Sequence, residues 1–125
     1  MYSVSIKLDF SSAHQLRNYK GKCEALHGHN WKVEAVVSGE KLNSLGMLID
    51  FHDLKKELSA VLELLDHKNL NETEIFKEIN PTAENIANWI YDEMSKKINN
   101  GNISVSEIRV WESEHSCAMY SGKRC

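Results

Sequence analysis

The stretch Lys22-Cys23-Glu24-Ala25-Leu26-His27-Gly28-His29-Asn30-Trp31 carries the densest chemistry in the chain. His27 and His29 stand two apart where a strand begins. Alternate strand residues face opposite ways, so both imidazoles share one face. Gly28 between them removes side-chain bulk and lets backbone or ligand come close. His14 follows an earlier strand, and hairpin pairing of the two strands brings it to the other two histidines. Three neutral imidazoles with an open fourth position make a catalytic zinc site. Nitrogen donors suit this borderline-soft metal better than magnesium or calcium. Cys23 is either a fourth ligand that closes the site or a separate nucleophile or base, and spacing leaves both open. Two histidines flanking a glycine are also compatible with a plain surface loop.

A second acid–base element is Asp66-His67. A carboxylate beside an imidazole orients the ring and stabilises its protonated form, which suits it to exchange protons with a thiol. The competing explanation is helix termination, for which Asp, His, Lys and Asn are all common. Glu112 shares strand parity with Ile108 and Val110, so its carboxylate is expected on an apolar side, which is costly without donors. A fused heterocycle with adjacent N–H and NH2 groups would satisfy it, and so would a strand end reaching water. His52 and His115 have no partner visible in the sequence; His52 reads as solvated in a helix's first turn and His115 as part of the final turn.

These side chains need elements to hold them. Tyr2 to Phe10 alternates with Val4, Ile6, Leu8 and Phe10 on one face, which predicts a half-buried strand. Trp31 to Ser38 predicts a second. The polar stretch Ser11 to Asn30 is long for a hairpin loop, and such loops are usually functional. Asp50 is the expected N-cap of a helix bearing Leu54, Leu58, Val61, Leu62 and Leu65, which ends at Asp66-His67-Lys68-Asn69. Thr82 caps a second helix, with Glu84 in its first turn and Ile86, Ile90, Met94 and Ile98 along its apolar stripe. Strands at Val105 to Glu112 and Ser116 to Tyr120 complete the order β-β-α-α-β-β. That order predicts an α+β domain, an antiparallel sheet with helices on one face and two open edges.

The length of 125 residues fits one domain over 1–125. Lys and Arg number 15 against 18 Asp and Glu, and the net charge of −3 gives no electrostatic reason to expect nucleic acid or an anionic membrane. No 18-residue apolar window spans a bilayer. Three cysteines, Cys23, Cys117 and Cys125, without an export signal, read as thiols of a cytoplasmic protein.

Six motifs in order resemble the 6-pyruvoyltetrahydropterin synthase / 6-carboxytetrahydropterin synthase family. They are F-S-S-A-H at 10–14, C-E-A-L-H-G-H-N-W at 23–31, G-M-L-I-D-F at 46–51, L-D-H-K-N-L-N at 65–71, N-P-T-A-E-N at 80–85 and W-E at 111–112. The resemblance implies the T-fold (tunnelling fold) and barrels built by several subunits. With the open sheet edges it points to a homo-oligomer, a hexamer of two stacked trimers, with sites at subunit interfaces. It implies zinc on His14, His27 and His29, proton transfer by Cys23 with Asp66-His67, and a pterin anchored on Glu112. It also sets Thr82 and Glu84 near the pterin, although helix capping explains both equally well.

The three residues between Cys23 and His27 look like the bacterial 6-carboxytetrahydropterin synthases of queuosine (7-deazaguanine) biosynthesis. Glu24 directly after Cys23 departs from that pattern and resembles relatives that release 6-hydroxymethyldihydropterin for folate synthesis. A chain holding both residues looks bifunctional. The implied substrate is 7,8-dihydroneopterin triphosphate, with Lys20 and Lys22 placed either to meet the triphosphate or simply in solvent. The rivals are the folate-branch enzyme, a 6-pyruvoyltetrahydropterin synthase, a non-catalytic zinc-binding module closed by Cys23, and a zinc hydrolase. The hydrolase lacks an H-E-x-x-H helix, and the closed module gives no reason for Asp66-His67 or an inward Glu112.

Overall fold

The computed structural model describes residues 1–21 and 24–122. Its elements are β1 (Tyr2–His14), β2 (His27–Gly39), α1 (Phe51–Leu62), α2 (Ala83–Ile98), β3 (Ile103–Ser113) and β4 (Ser116–Tyr120). Two single 3-10 turns, Leu70–Glu72 and Glu74–Phe76, lie between α1 and α2. Every strand pair is antiparallel, in the order β1-β2-β3-β4, so the predicted α+β arrangement is the one observed.

Both long strands outrun their apolar alternation. β1 continues to His14 and β2 starts at His27 because Ser11–His14 pair with His27–Asn30. The inward positions there are Ser12 and His14, which carry no hydrophobic signal. Further along, Ile6, Phe10, Trp31, Val33, Ala35 and Val37 are buried against Leu54, Leu58, Val61 and Leu62 of α1 and Ile86, Ile90, Met94 and Ile98 of α2. Phe10 and Trp31 stack with centroids 5.8 Å apart. Both predicted caps form: Asp50 accepts from the His52 amide, and Thr82 accepts from the Asn85 amide.

Two register shifts matter for function. One, opposite Val36 and Val37, lets Val105 and Ile108 both face the core although their parity differs. The other lies between Trp111 and Ser113, so Glu112 is the extra residue of a bulge. Bulges re-aim side chains and are common beside active sites.

The outer edge of β1 is half covered. Ser11 N–H donates to Asp66 Oδ1, and His67 N–H donates to Ser11 O. Ala13 N–H donates to Lys68 O. Beyond the strand, the Asn71 side chain bonds both the N–H and the C=O of Gln15 at 2.9 Å each. The Asn80 side chain does the same for Arg17, at 2.9 and 3.1 Å. Side-chain amides thus continue a ladder where no strand exists. Among the described residues no helix is long and apolar enough to cross a membrane.

Candidate metal centre

Hairpin register builds the centre. His14 lies directly opposite His27, and His29 opposite Ser12. The three ring centroids are 4.7 Å (His14–His27), 5.1 Å (His14–His29) and 4.8 Å (His27–His29) apart. Trp31 packs edge-on against His14 and His29 at 4.9 and 5.1 Å and donates its indole N–H to Ser12 O. His14 is 3% exposed. Its Nδ1 lies 2.7 Å from Pro81 O, and His27 Nδ1 lies 2.9 Å from Ala25 O. A carbonyl only accepts, so both Nδ1 atoms carry the proton and both Nε2 atoms keep a free lone pair. A metal ligand needs that tautomer.

Glu112 completes the cluster. Its carboxylate lies on the inner face, as strand parity with Ile108 and Val110 suggests, and there it reaches the imidazoles. Oε1 is 2.8 Å from His29 Nε2 and 3.4 Å from His14 Nε2. Those contacts are close without being aligned as hydrogen bonds, and both buried Nε2 atoms lack a hydrogen-bond partner. Free lone pairs gathered beside an anionic oxygen are the arrangement a cation resolves. The four donor atoms lie within 4.8 Å of one another. Bonds of about 2.0–2.1 Å to zinc would need a tetrahedral edge of roughly 3.3 Å, which a small contraction supplies. Burial pushes the His29 pKa down, helped by His14 and His27 and opposed by Glu112. The neutral, ligating form is therefore favoured.

Asp66 and His67 stand on the outer edge of β1. Ser11 N–H holds the Asp66 carboxyl below its usual range, and His67 adds to that. Asp66 Oδ2 lies 2.9 Å from His67 Nδ1, and the His67 ring is 82% exposed. His67 adopts a left-handed backbone, φ 56°. A conformation of that kind costs about 1–3 kcal/mol and persists where its surroundings enforce it. Here the enforcement is the His67 N–H to Ser11 O bond of 2.6 Å. His67 and His29 line one open cavity of about 450 Å³ with Ser11, Asn30 and Lys68.

The remaining expected residues separate. Glu24 Oε1 lies 3.6 Å from His27 Nδ1, beside a ligand of the cluster. Thr82 is occupied by its cap, and Glu84 is exposed on the first turn of α2. Lys20 sits over the Tyr19 ring at 5.3 Å. Cys23 and Lys22 lie outside the described residues. Sequence reasoning missed the two carbonyls that set the ring tautomers, of Pro81 and Ala25. A backbone acceptor has no residue signature, so no signal could have found them.

The family model for 6-pyruvoyl tetrahydropterin synthase matches residues 3–123. A protein of Archaeoglobus fulgidus, provisionally named 6-carboxy-5,6,7,8-tetrahydropterin synthase, is 41% identical over 92% of this chain and 91% of its own. Dihydroneopterin monophosphate aldolase of Pyrococcus furiosus is 37% identical over 87% and 88%. The structure of Caenorhabditis elegans 6-pyruvoyl tetrahydropterin synthase superposes with a TM-score of 0.84 at 27% identity, covering 98% of this chain and 96% of that one. The fold is thus the T-fold, and with the family model spanning nearly its whole length the chain belongs to the 6-pyruvoyl tetrahydropterin synthase family.

Proposed function

We propose that this chain is a zinc-dependent 6-carboxytetrahydropterin synthase of the queuosine (7-deazaguanine) pathway. It would convert 7,8-dihydroneopterin triphosphate and water to 6-carboxy-5,6,7,8-tetrahydropterin, acetaldehyde and triphosphate. The observation that carries the reading is the set of unpartnered imidazole nitrogens on His14 and His29, joined by His27, within a pterin-synthase fold. Zinc bound there supplies Lewis-acid polarisation of the substrate's side-chain hydroxyls. The Pro81 and Ala25 carbonyls keep the His14 and His27 lone pairs aimed at it. Asp66 holds His67 with Nε2 free, ready to take or return a proton on the substrate side chain. Cys23 serves the opposite proton transfer. Glu112, 36% exposed and on the inner face beside the imidazoles, is the pterin anchor. Thr82 and Glu84 contribute to the pterin pocket through the N-terminus of α2.

A second reading is favoured by one contact. Glu24 lies beside His27, and a relative of 37% identity is named an aldolase acting on dihydroneopterin monophosphate. In that reading Glu24 directs release of 6-hydroxymethyl-7,8-dihydropterin, alone or beside the carboxy product. Incubating zinc-loaded protein with dihydroneopterin triphosphate should yield acetaldehyde and the carboxy product. Cys23→Ala should abolish both and leave any hydroxymethyl product, whereas Glu24→Ala should do the reverse. Hydroxymethyl product without acetaldehyde would establish the second reading, and a 6-pyruvoyl product would overturn both.

A further inference from the structure

The hydrogen bonds around His14 close into a ring. His14 Nδ1 donates to Pro81 O at 2.7 Å. The residue before Pro81, Asn80, bonds the N–H and C=O of Arg17 with its side-chain amide. Arg17 lies three residues after His14. Strand, clamp, proline carbonyl and imidazole therefore form one loop of covalent and hydrogen-bonded links. Two further contacts hold it: the Asn85 amide donates to Asn80 O at 2.8 Å, and the Arg17 guanidinium donates to Ile79 O at 3.0 Å.

We propose that Asn80 is a positioning residue of the metal centre, fixing the Pro81 carbonyl that sets the tautomer and orientation of His14. It touches neither metal nor substrate. The inference rests on the metal-site reading above. The clamp matters because the Pro81 carbonyl precedes the N-cap of α2 and lies outside its hydrogen-bonded turns. Pro81 donates no hydrogen bond of its own. Asn80 pairs both backbone groups of Arg17, and the Arg17 guanidinium adds one bond to Ile79 O, so these two side chains tie the segment before Pro81 to the chain just beyond β1. Groups that orient a ligating histidine typically change metal affinity 10–100-fold when removed.

An internal control exists at the far end of the molecule. The Asn102 side chain makes the same two-bond clamp on Lys41, at 3.0 and 2.7 Å, with no histidine nearby in its network. Asn80→Asp keeps the shape but sets an acceptor against Arg17 C=O. Asn80→Ala removes the clamp without repulsion and carries the test if the aspartate variant does not fold. Zinc affinity is read by competition with a chromophoric chelator, and ligand geometry by the visible spectrum of the cobalt(II) form. Both Asn80 variants should bind zinc about 10–100-fold more weakly and show an altered cobalt spectrum. Asn102→Ala should lower the melting temperature of the metal-free protein while leaving affinity and spectrum unchanged. Wild-type affinity and spectrum in Asn80→Ala, or the same losses in Asn102→Ala, would overturn the inference alone. An unmodified protein that binds neither metal would overturn the metal-site reading and this inference with it.

Discussion

At the residue scale, Glu112 and His29 decide the character of the site. Glu112 sits within reach of both a ligand role and an anchor role, and the two separate on substitution. As anchor, it accepts charge-assisted hydrogen bonds worth roughly 1.5–3 kcal/mol each. Glu112→Gln, which sets a donor against a donor, should weaken substrate binding by on the order of a hundredfold while zinc content stays whole. Loss of zinc from that variant would reassign the carboxylate to the metal. His29 predicts a pH response. Its pKa is depressed in the folded metal-free protein by burial, so the unfolded chain binds the proton more readily. The stability it contributes is present above the unfolded value of about 6.5 and is lost as pH falls through the lower folded value. Thermal melts of metal-free protein between about pH 8 and 5 should therefore fall more steeply for wild type than for His29→Asn. Parallel slopes would refute this. Sequence made the three histidines legible because strand periodicity forces His27 and His29 onto one face. Parity likewise set Glu112 on the inner face with Ile108 and Val110, whereas the one-residue bulge against β4 has no signal in the sequence.

At the element scale, β2 carries His27, His29 and the Trp31 wall behind them. Trp31 is fully buried, touches His14 and His29, and stacks on Phe10. Trp31→Ala should cost about 3–5 kcal/mol, a large part of the 5–15 kcal/mol typical of a domain. It should also weaken zinc binding through disordered histidines, and unchanged chemical denaturation would contradict this. Both helices were legible in sequence through their caps and apolar stripes, since Asp50 and Thr82 cap them as their residue types demand. The last turn of β1 and the first of β2 were not. Polar inward residues there serve the site, so local pattern and tertiary role conflict. The two 3-10 turns were likewise hidden, being held by Asn69, Thr73 and Arg17 contacts and not by periodicity.

At the scale of the whole molecule, the sheet ends in β1 on one side and β4 on the other, and a lone four-stranded sheet with free edges invites association. Sedimentation of purified protein should show a homo-oligomer, with six chains expected, and a fully active monomer independent of concentration would rule this out. The half-covered edge of β1 then has a geometric consequence. Ser3, Ser5, Lys7 and Asp9 share the parity of Ser11 and Ala13, and their backbone groups face outward with no strand beside them among the described residues. From Ser11 to Arg17 the same groups are already taken by Asp66, His67, Lys68, Asn71 and Asn80. A strand laid along this edge can zip only as far as Asp9 before it meets occupied partners. A chain that did pair along this edge would be held out of step, like an offset brick, with the histidine end projecting past the seam.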